Sequence, residues 1–228
     1  MSDTRWIPAA DAGELRRAGF KRIVDAAGRA IAARGAFAIS LAGGNTPRGV
    51  YAMLREADTD WALWHIYYGD ERCVSRGDPE RNSRMARDAW LDHVPIPAAN
   101  IHEIPAELGA DAGAAAYAKA LKGLGDFDLT LLGLGEDGHT ASLFPGHEWG
   151  DSFGSPGAIA VFDAPKLPSE RVSLSAARLS HSREVLFLVA GESKRGAVAK
   201  WSSGANIPAR AIRPAAGVDV LVEASLLG

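Results

Sequence analysis

The stretch over residues 128–146, DLTLLGLGEDGHTASLFPG, joins a buried-strand pattern to residues that can move a proton. Its leucines run into glycines, and Asp137 and His139 follow with a glycine between them. Histidine has an ordinary pKa of about 6.5, so it can accept a proton near neutral pH. We therefore predict that His139 is a general base, oriented by Asp137 or by Asp70. The alternative is a loop histidine with a structural role, and the Thr-Ala-Ser run after it could open a helix.

Two other polar clusters follow strand patterns. The apolar run AFAISLA is followed by a glycine turn, which consists of Gly43, Gly44, Asn45 and Thr46. Its backbone amides could bind an anion at the start of the next helix. Directly after HIYY come three charged residues, Asp70, Glu71 and Arg72. Buried charges are costly unless they pair or meet a ligand. Because ligands of open α/β sheets bind beyond the carboxyl ends of the strands, we expect these clusters to share one site. Without a ligand they would be a tight turn and a salt-bridged loop.

Two cations later in the chain also lie at the ends of strand patterns. Arg171 opens RVSLS, and Lys194 follows LFLVAGES. An arginine fork and a lysine point charge both suit a phosphate group. Taken singly, each residue is more often a surface charge.

Length and composition narrow the class of protein. The chain has 228 residues and is 47% hydrophobic, which favours one α/β domain over residues 1–228. Its net charge of -3 produces no electrostatic field that would attract nucleic acid. The single Cys73 excludes an internal disulfide, and no metal-ligand spacing is present, so we expect neither a metal nor a cofactor. No apolar run is long enough for a membrane span, so we expect no membrane partner and a cytoplasmic protein.

The elements that must position these residues alternate between helix and strand patterns. We predict a first helix over residues 11–33 and a second that has Thr46 as its N-cap and Pro47 as its first residue. Three further helices are predicted in NSRMARDAWLDHV, which Pro95 ends, in DAGAAAYAKAL and in SKRGAVAKWSSG. We predict strands in AFAISLAGG, LWHIYYGDERCV, FDLTLLGLG, AIAVFDA, RVSLSA and EVLFLVAG, with a strand or helix start in VDVLVEASLL. Strands without clean alternation indicate a mainly parallel sheet covered on both faces.

Several of these segments, in order, resemble the 6-phosphogluconolactonase family of the glucosamine-6-phosphate isomerase/deaminase superfamily. They are SLAGGNTPRGVY, WHIYYGDERCV, NSRMARDAWLDHVPIP, FDLTLLGLGEDGHTASLFPG, ERVSLS and VLFLVAGESK. The resemblance implies a Rossmann-like three-layer α/β/α sandwich, the sugar-phosphate isomerase-like fold. It also implies hydrolysis of 6-phospho-D-glucono-1,5-lactone to 6-phosphogluconate, the second step of the oxidative pentose phosphate pathway, without a cofactor.

The same resemblance assigns roles to the residues singled out above. His139 would deprotonate the water that attacks C1, with Asp137 or Asp70 orienting it. The remaining residues would bind the phosphorylated sugar lactone: Gly43, Gly44 and Arg72 at the oxyanion, Arg171 and Lys194 at the 6-phosphate, together with Asn45, Thr46 and Asn82. A monomer or weak homodimer is expected.

The chain departs from the family pattern at three places. Asn45 stands where Ser or Thr is usual, Arg81 stands where a serine usually precedes Asn82, and the first strand is reduced to TRWIP. An isomerase or deaminase of the superfamily remains an alternative. Those enzymes carry an Asn-Glu-Pro run after the histidine, whereas residues 142–145 here read SLFP. A sugar-phosphate-sensing domain of a transcription regulator is a second alternative, although the residues before Ala36 are too few for a DNA-binding module.

Overall fold

The computed structural model describes residues 4–228, which form nine strands and six α-helices. The strands are β1 (Thr4–Ala9), β2 (Phe37–Leu41), β3 (Trp64–Tyr68), β4 (Asp70–Arg72), β5 (Phe127–Gly133), β6 (Ala158–Val161), β7 (Arg171–Leu174), β8 (Ser182–Val189) and β9 (Val218–Glu223). The helices are α1 (Ala12–Arg34), α2 (Asn45–Leu54), α3 (Asn82–Ala89), α4 (Ala110–Ala120), α5 (Ala176–Ser180) and α6 (Arg195–Ser202). The reduced first strand that the sequence suggested is therefore present as β1.

Six of the strands form a parallel sheet in the order β1-β9-β8-β5-β2-β3. From β2 the chain moves outward to β3, then returns to the other side of β2 with β5 and continues outward through β8 and β9. The direction of winding thus changes between β2 and β5. Ligands of open α/β sheets bind at such a switch point, beyond the carboxyl ends of the strands. The predicted parallel sheet is confirmed.

The helices cover this sheet. Helix α1 packs on β2, β5 and β9 and contacts α2, which in turn contacts α3. The Asp11 side chain accepts a hydrogen bond from the amide of Glu14 at 2.8 Å and so caps the start of α1. At the other end, the amide of Gly35 donates to the Ile31 carbonyl at 2.8 Å. No helix within residues 4–228 is long and apolar enough to cross a membrane.

The charged end of the second predicted strand belongs to a different sheet. β4, β7 and β6 form a three-stranded antiparallel sheet, so the prediction of one continuous strand over LWHIYYGDERCV was wrong. The chain passes between the sheets at Gly69, whose amide donates to the Leu41 carbonyl at 2.9 Å and whose carbonyl accepts from the amide of Leu174 at 2.7 Å. This change of sheet takes the three charged residues out of the parallel sheet. Asp70 and Glu71 remain buried, but both accept hydrogen bonds there, which offsets the cost of burying their charges.

Two predicted helix boundaries were also wrong. α2 begins at Asn45 and follows Gly44, so Thr46 is not the N-cap and Pro47 is the third helical residue, where its missing N–H costs nothing. α3 ends at Ala89 rather than near Pro95. The next residue, Trp90, has a non-helical backbone conformation, and its side chain is fully buried against other aromatic rings.

No helix opens after His139. Residues 140–143 instead make a tight turn, in which the amide of Leu143 donates to the Thr140 carbonyl at 2.9 Å. Ala141 at the turn has a φ of 47°, a left-handed conformation that residues other than glycine seldom adopt. Such outliers occur often at functional sites, and Ala141 lines the cavity described next.

Candidate active site

A cavity of about 480 Å³ opens beyond the carboxyl ends of β2, β5 and β8. The lining contains every predicted site residue except Asp137: Gly43, Gly44, Asn45, Thr46, Asp70, Arg72, Asn82, His139, Arg171 and Lys194. The switch point of the parallel sheet therefore brings together side chains that are widely separated in the sequence.

His139 and Asp137 form a hydrogen-bonded pair at this cavity. The Nδ1 atom of His139 lies 2.6 Å from Oδ1 of Asp137, and the same oxygen accepts the His139 backbone amide at 3.0 Å. Gly135 packs directly under the ring, since a Cβ there would lie 2.0 Å from Nδ1 of His139. The carboxylate fixes Nδ1 as the protonated nitrogen, which leaves Nε2 as the nitrogen that can accept a proton.

Burial and charge act in opposite directions on this pair. Burial lowers the pKa of His139 below its ordinary value, and the negative charges of Asp137 and Asp70 oppose that shift only in part. Burial alone would raise the pKa of Asp137, but the hydrogen bonds and positive charge of His139 lower it overall. A neutral imidazole beside an ionised carboxylate is the state that general-base catalysis requires.

Asp70 does not contact His139 but is held by two other donors. Its Oδ1 accepts from Nδ2 of Asn82 at 3.0 Å, and its Oδ2 accepts from Oγ of Ser142 at 2.6 Å. Gly43 allows Asn82 to approach, because a Cβ at Gly43 would lie 2.1 Å from Oδ1 of Asn82. Of the two carboxylates proposed for orienting the histidine, Asp137 is the one within hydrogen-bond distance.

Glu71 points away from the cavity and anchors α3. Its two carboxylate oxygens accept the backbone amides of Asn82 at 2.7 Å and Ser83 at 2.8 Å. Nε of Arg81 lies 3.4 Å from Oε2 of Glu71, and both side chains are 1% exposed. Arg81, a departure from the family pattern, is therefore a buried partner of Glu71 and is absent from the cavity lining.

Several cations line the same cavity, among them Arg72, Arg171 and Lys194. Arg171 lies directly across the strand pair from Arg72, and it donates to the carbonyls of Pro168 at 3.0 Å and Lys166 at 2.7 Å. Burial lowers the pKa of Arg171 and of Lys194, and nearby carboxylates offset this only in part. Nε of Arg72 is buried without a hydrogen-bond partner among residues 4–228. Together these cations can bind an anion in the cavity.

Two polar residues of the site were not predicted from the sequence. Lys166 lines the cavity from the loop between β6 and β7. Ser142, in the turn after His139, is buried outside the cavity lining and donates to Asp70. A single lysine in a loop, or a serine outside a nucleophile motif, does not by itself indicate a functional site in the sequence. Within the part of the chain that is described, no group of three or more His, Cys, Asp or Glu is placed to hold a metal ion.

Comparison with known proteins places the chain in a family. The family profile described as glucosamine-6-phosphate isomerases/6-phosphogluconolactonase matches residues 10–221. The chain belongs to this family. A 6-phosphogluconolactonase from Synechocystis is 42% identical over 199 residues, which cover 82% of this chain and 81% of that protein.

Solved structures confirm the fold. The 6-phosphogluconolactonase of Thermotoga maritima superposes with a TM-score of 0.89 at 24% identity, covering 97% of this chain and all of that one. A monomeric glucosamine-6-phosphate deaminase superposes with a TM-score of 0.81 at 23% identity, and the match covers 98% of each chain. Because the lactonase and deaminase share this fold, the residues of the cavity must separate the two activities.

Proposed function

We propose that this chain hydrolyses 6-phospho-D-glucono-1,5-lactone to 6-phosphogluconate, as in the oxidative pentose phosphate pathway. The observation that carries the proposal is the His139–Asp137 pair, 2.6 Å apart, at a cavity that is also lined by Arg72, Arg171 and Lys194. A lactone is an activated ester, so an oriented water and a general base suffice for its hydrolysis. The curated relative at 42% identity bears the corresponding name.

In the proposed mechanism His139 activates water. Nε2 takes a proton from a water molecule while the water oxygen forms a bond to C1 of the lactone. The bond between C1 and the ring oxygen then breaks, and the imidazolium returns the proton to that oxygen. Asp137 keeps the ring oriented and stabilises the imidazolium, and it stays ionised throughout.

The negative charge that develops on the carbonyl oxygen needs donors. The backbone of Gly43 and Gly44 lines the cavity at the start of α2, and the buried Nε of Arg72 has no hydrogen-bond partner in the described part of the chain. Donors that are fixed before the reaction stabilise such an oxyanion without reorganisation. Asn45 and Thr46 follow in the same helix start and would contact the sugar.

Arg171 and Lys194 would bind the 6-phosphate. Substitution of either with alanine should weaken kcat/KM for the phosphorylated lactone by about 10- to 100-fold, because a hydrogen bond to a charged group contributes roughly 1.5–3 kcal/mol. Unphosphorylated gluconolactone should be affected far less. Steady-state kinetics on both lactones measure the difference.

Arg183 offers a matched control for that experiment, since it is a half-exposed arginine whose ion pair with Asp128 lies outside the cavity. Arg183→Ala should leave both lactones unaffected. Equal losses on both lactones in the Arg171 and Lys194 variants would show that these cations serve the fold and not the phosphate.

The superfamily alternative is an isomerase or deaminase, which the shared fold of the deaminase favours. That chemistry needs an acid–base group at the ring oxygen. After His139 the chain offers only Ser142, Leu143, Phe144 and Pro145. The hydroxyl of Ser142 is already bonded to Asp70, and no carboxylate stands there.

Parallel assays test the proposed function against this alternative. We expect lactone consumption well above the rate in buffer alone, with no ammonia released from glucosamine-6-phosphate and no aldose–ketose exchange. Ammonia release together with an unchanged lactone rate would assign the chain to the other branch of the family.

We also propose that residues 1–228 act as one domain, in a monomer or a weak homodimer. The cavity supports this because a single chain supplies its lining from β2 through the turn after β8. A cytoplasmic location follows from the proposed substrate, since a phosphate ester does not cross membranes unaided. Sedimentation of the purified protein would give the oligomeric state.

A further inference from the structure

The carboxylate of Asp70 is fixed at the cavity wall by two uncharged groups. Asn82 and Ser142 each donate to one of its oxygens, at 3.0 and 2.6 Å. Asp70 is 6% exposed and Ser142 is 1% exposed. A carboxylate has about four acceptor positions, so Asp70 keeps free acceptor capacity beside the cavity.

The turn that carries Ser142 makes two contacts with neighbouring strands. Oγ1 of Thr140 donates to the carbonyl of Gly133 at 2.9 Å, which ties the turn to the end of β5. The amide of Ser142 lies 3.3 Å from Oγ of Ser173, and Ser173 pairs with Asp70 across β4 and β7. Through its hydrogen bonds, Ser142 therefore links the loop that contains His139 with β4, the strand that contains Asp70.

We propose that Ser142 is a positioning residue that holds Asp70 as the acceptor for the C2 hydroxyl of the sugar lactone. The inference rests on the proposed function, which places C1 beside Nε2 of His139. Asp70 lies in the same cavity, and its charge raises the pKa of His139, as expected of a near neighbour. The hydroxyl nearest to C1 is the one on C2.

The expected consequence is discrimination between lactones that have and lack this hydroxyl. A buried carboxylate prepared for a hydroxyl is left unsatisfied by a deoxy substrate, and such sites reject the deoxy analogue strongly. The substrate class is then a 6-phosphorylated aldonolactone with a free C2 hydroxyl. The role of Asp70 is to orient the ring, and water activation remains with His139.

The test compares 6-phosphogluconolactone with its 2-deoxy counterpart. Wild-type protein should prefer the hydroxylated lactone by at least about 10-fold in kcat/KM. Ser142→Ala should lose roughly 10- to 100-fold on that lactone and little on the deoxy one, so that the preference collapses. Ser142→Thr keeps a hydroxyl and should restore the preference.

Ser173→Ala is the matched control. It removes the contact to the Ser142 amide in the same buried region but leaves both donors on Asp70, so the preference should persist. Equal losses on both lactones in Ser142→Ala would overturn the proposal, because a purely structural role affects them alike. Wild-type protein that hydrolyses both lactones equally would also overturn it, whether or not any variant folds. Wild-type protein inactive on both would instead overturn the proposed function, and this inference with it.

Discussion

Replacement of His139 with alanine should lower kcat by roughly 10²- to 10⁴-fold, the usual contribution of a general base. KM should change little, because the residues proposed to bind the phosphate, Arg171 and Lys194, are kept in this variant. The ring is 21% exposed and makes its polar contacts with Asp137, so its loss leaves a small gap rather than an unsatisfied core group. Initial rates on the phosphorylated lactone, corrected for hydrolysis in buffer, give the result.

His181→Ala is the control, because His181 is exposed at the end of α5 and does not line the cavity. It should retain wild-type kcat. Circular dichroism should be unchanged in both variants. If folded His139→Ala protein kept a near-normal kcat, the histidine would have no part in water activation.

Replacement of Arg81 with methionine should lower the free energy of unfolding by about 3–5 kcal/mol. The variant keeps the apolar part of the side chain but removes the guanidinium, so Glu71 becomes a buried carboxylate without its cation, which is the costly way to break a buried ion pair. Nη2 of Arg81 also donates to the Ile104 carbonyl at 2.8 Å, and that bond would be lost as well. Urea denaturation measures the change.

Arg84→Met provides the comparison on the same helix. Arg84 is half exposed and pairs with Asp88 one turn later, an arrangement that contributes only about 0.3–0.5 kcal/mol. A loss for Arg81→Met no larger than for Arg84→Met would mean that the three backbone amides on Glu71 satisfy it without the arginine.

Local sequence was sufficient for part of the site. Asp137 and His139 are two residues apart, so their contact depends only on the turn between them. The parallel sheet was predictable because its strands are continuous apolar runs. These two features of the sequence are enough to predict that the glycine turn, Asp70 and His139 lie at one edge of the sheet.

Other features depend on contacts between distant segments. Ser142 and Asp70 are 72 residues apart, and nothing near either residue indicates the other. β4 has three residues, too few to show a period of its own, so its place in a second sheet could not be read from the pattern. Arg81 stood out in the sequence only as a departure from the family pattern, because nothing in the sequence pairs it with Glu71.

The passage of the chain between two sheets at Gly69 has a consequence for protein synthesis. On the ribosome, β4 emerges long before β7, its strand partner in the antiparallel sheet. β1 likewise waits for β9, with which it pairs from Thr4 opposite Val218 to Ala9 opposite Glu223. Pairings between segments so distant in sequence form slowly. A nascent chain that has emerged to residue 140 already contains His139, but Asp70 still lacks its partner strand β7 and the cavity lacks Arg171 and Lys194, so the cavity is complete only late in translation.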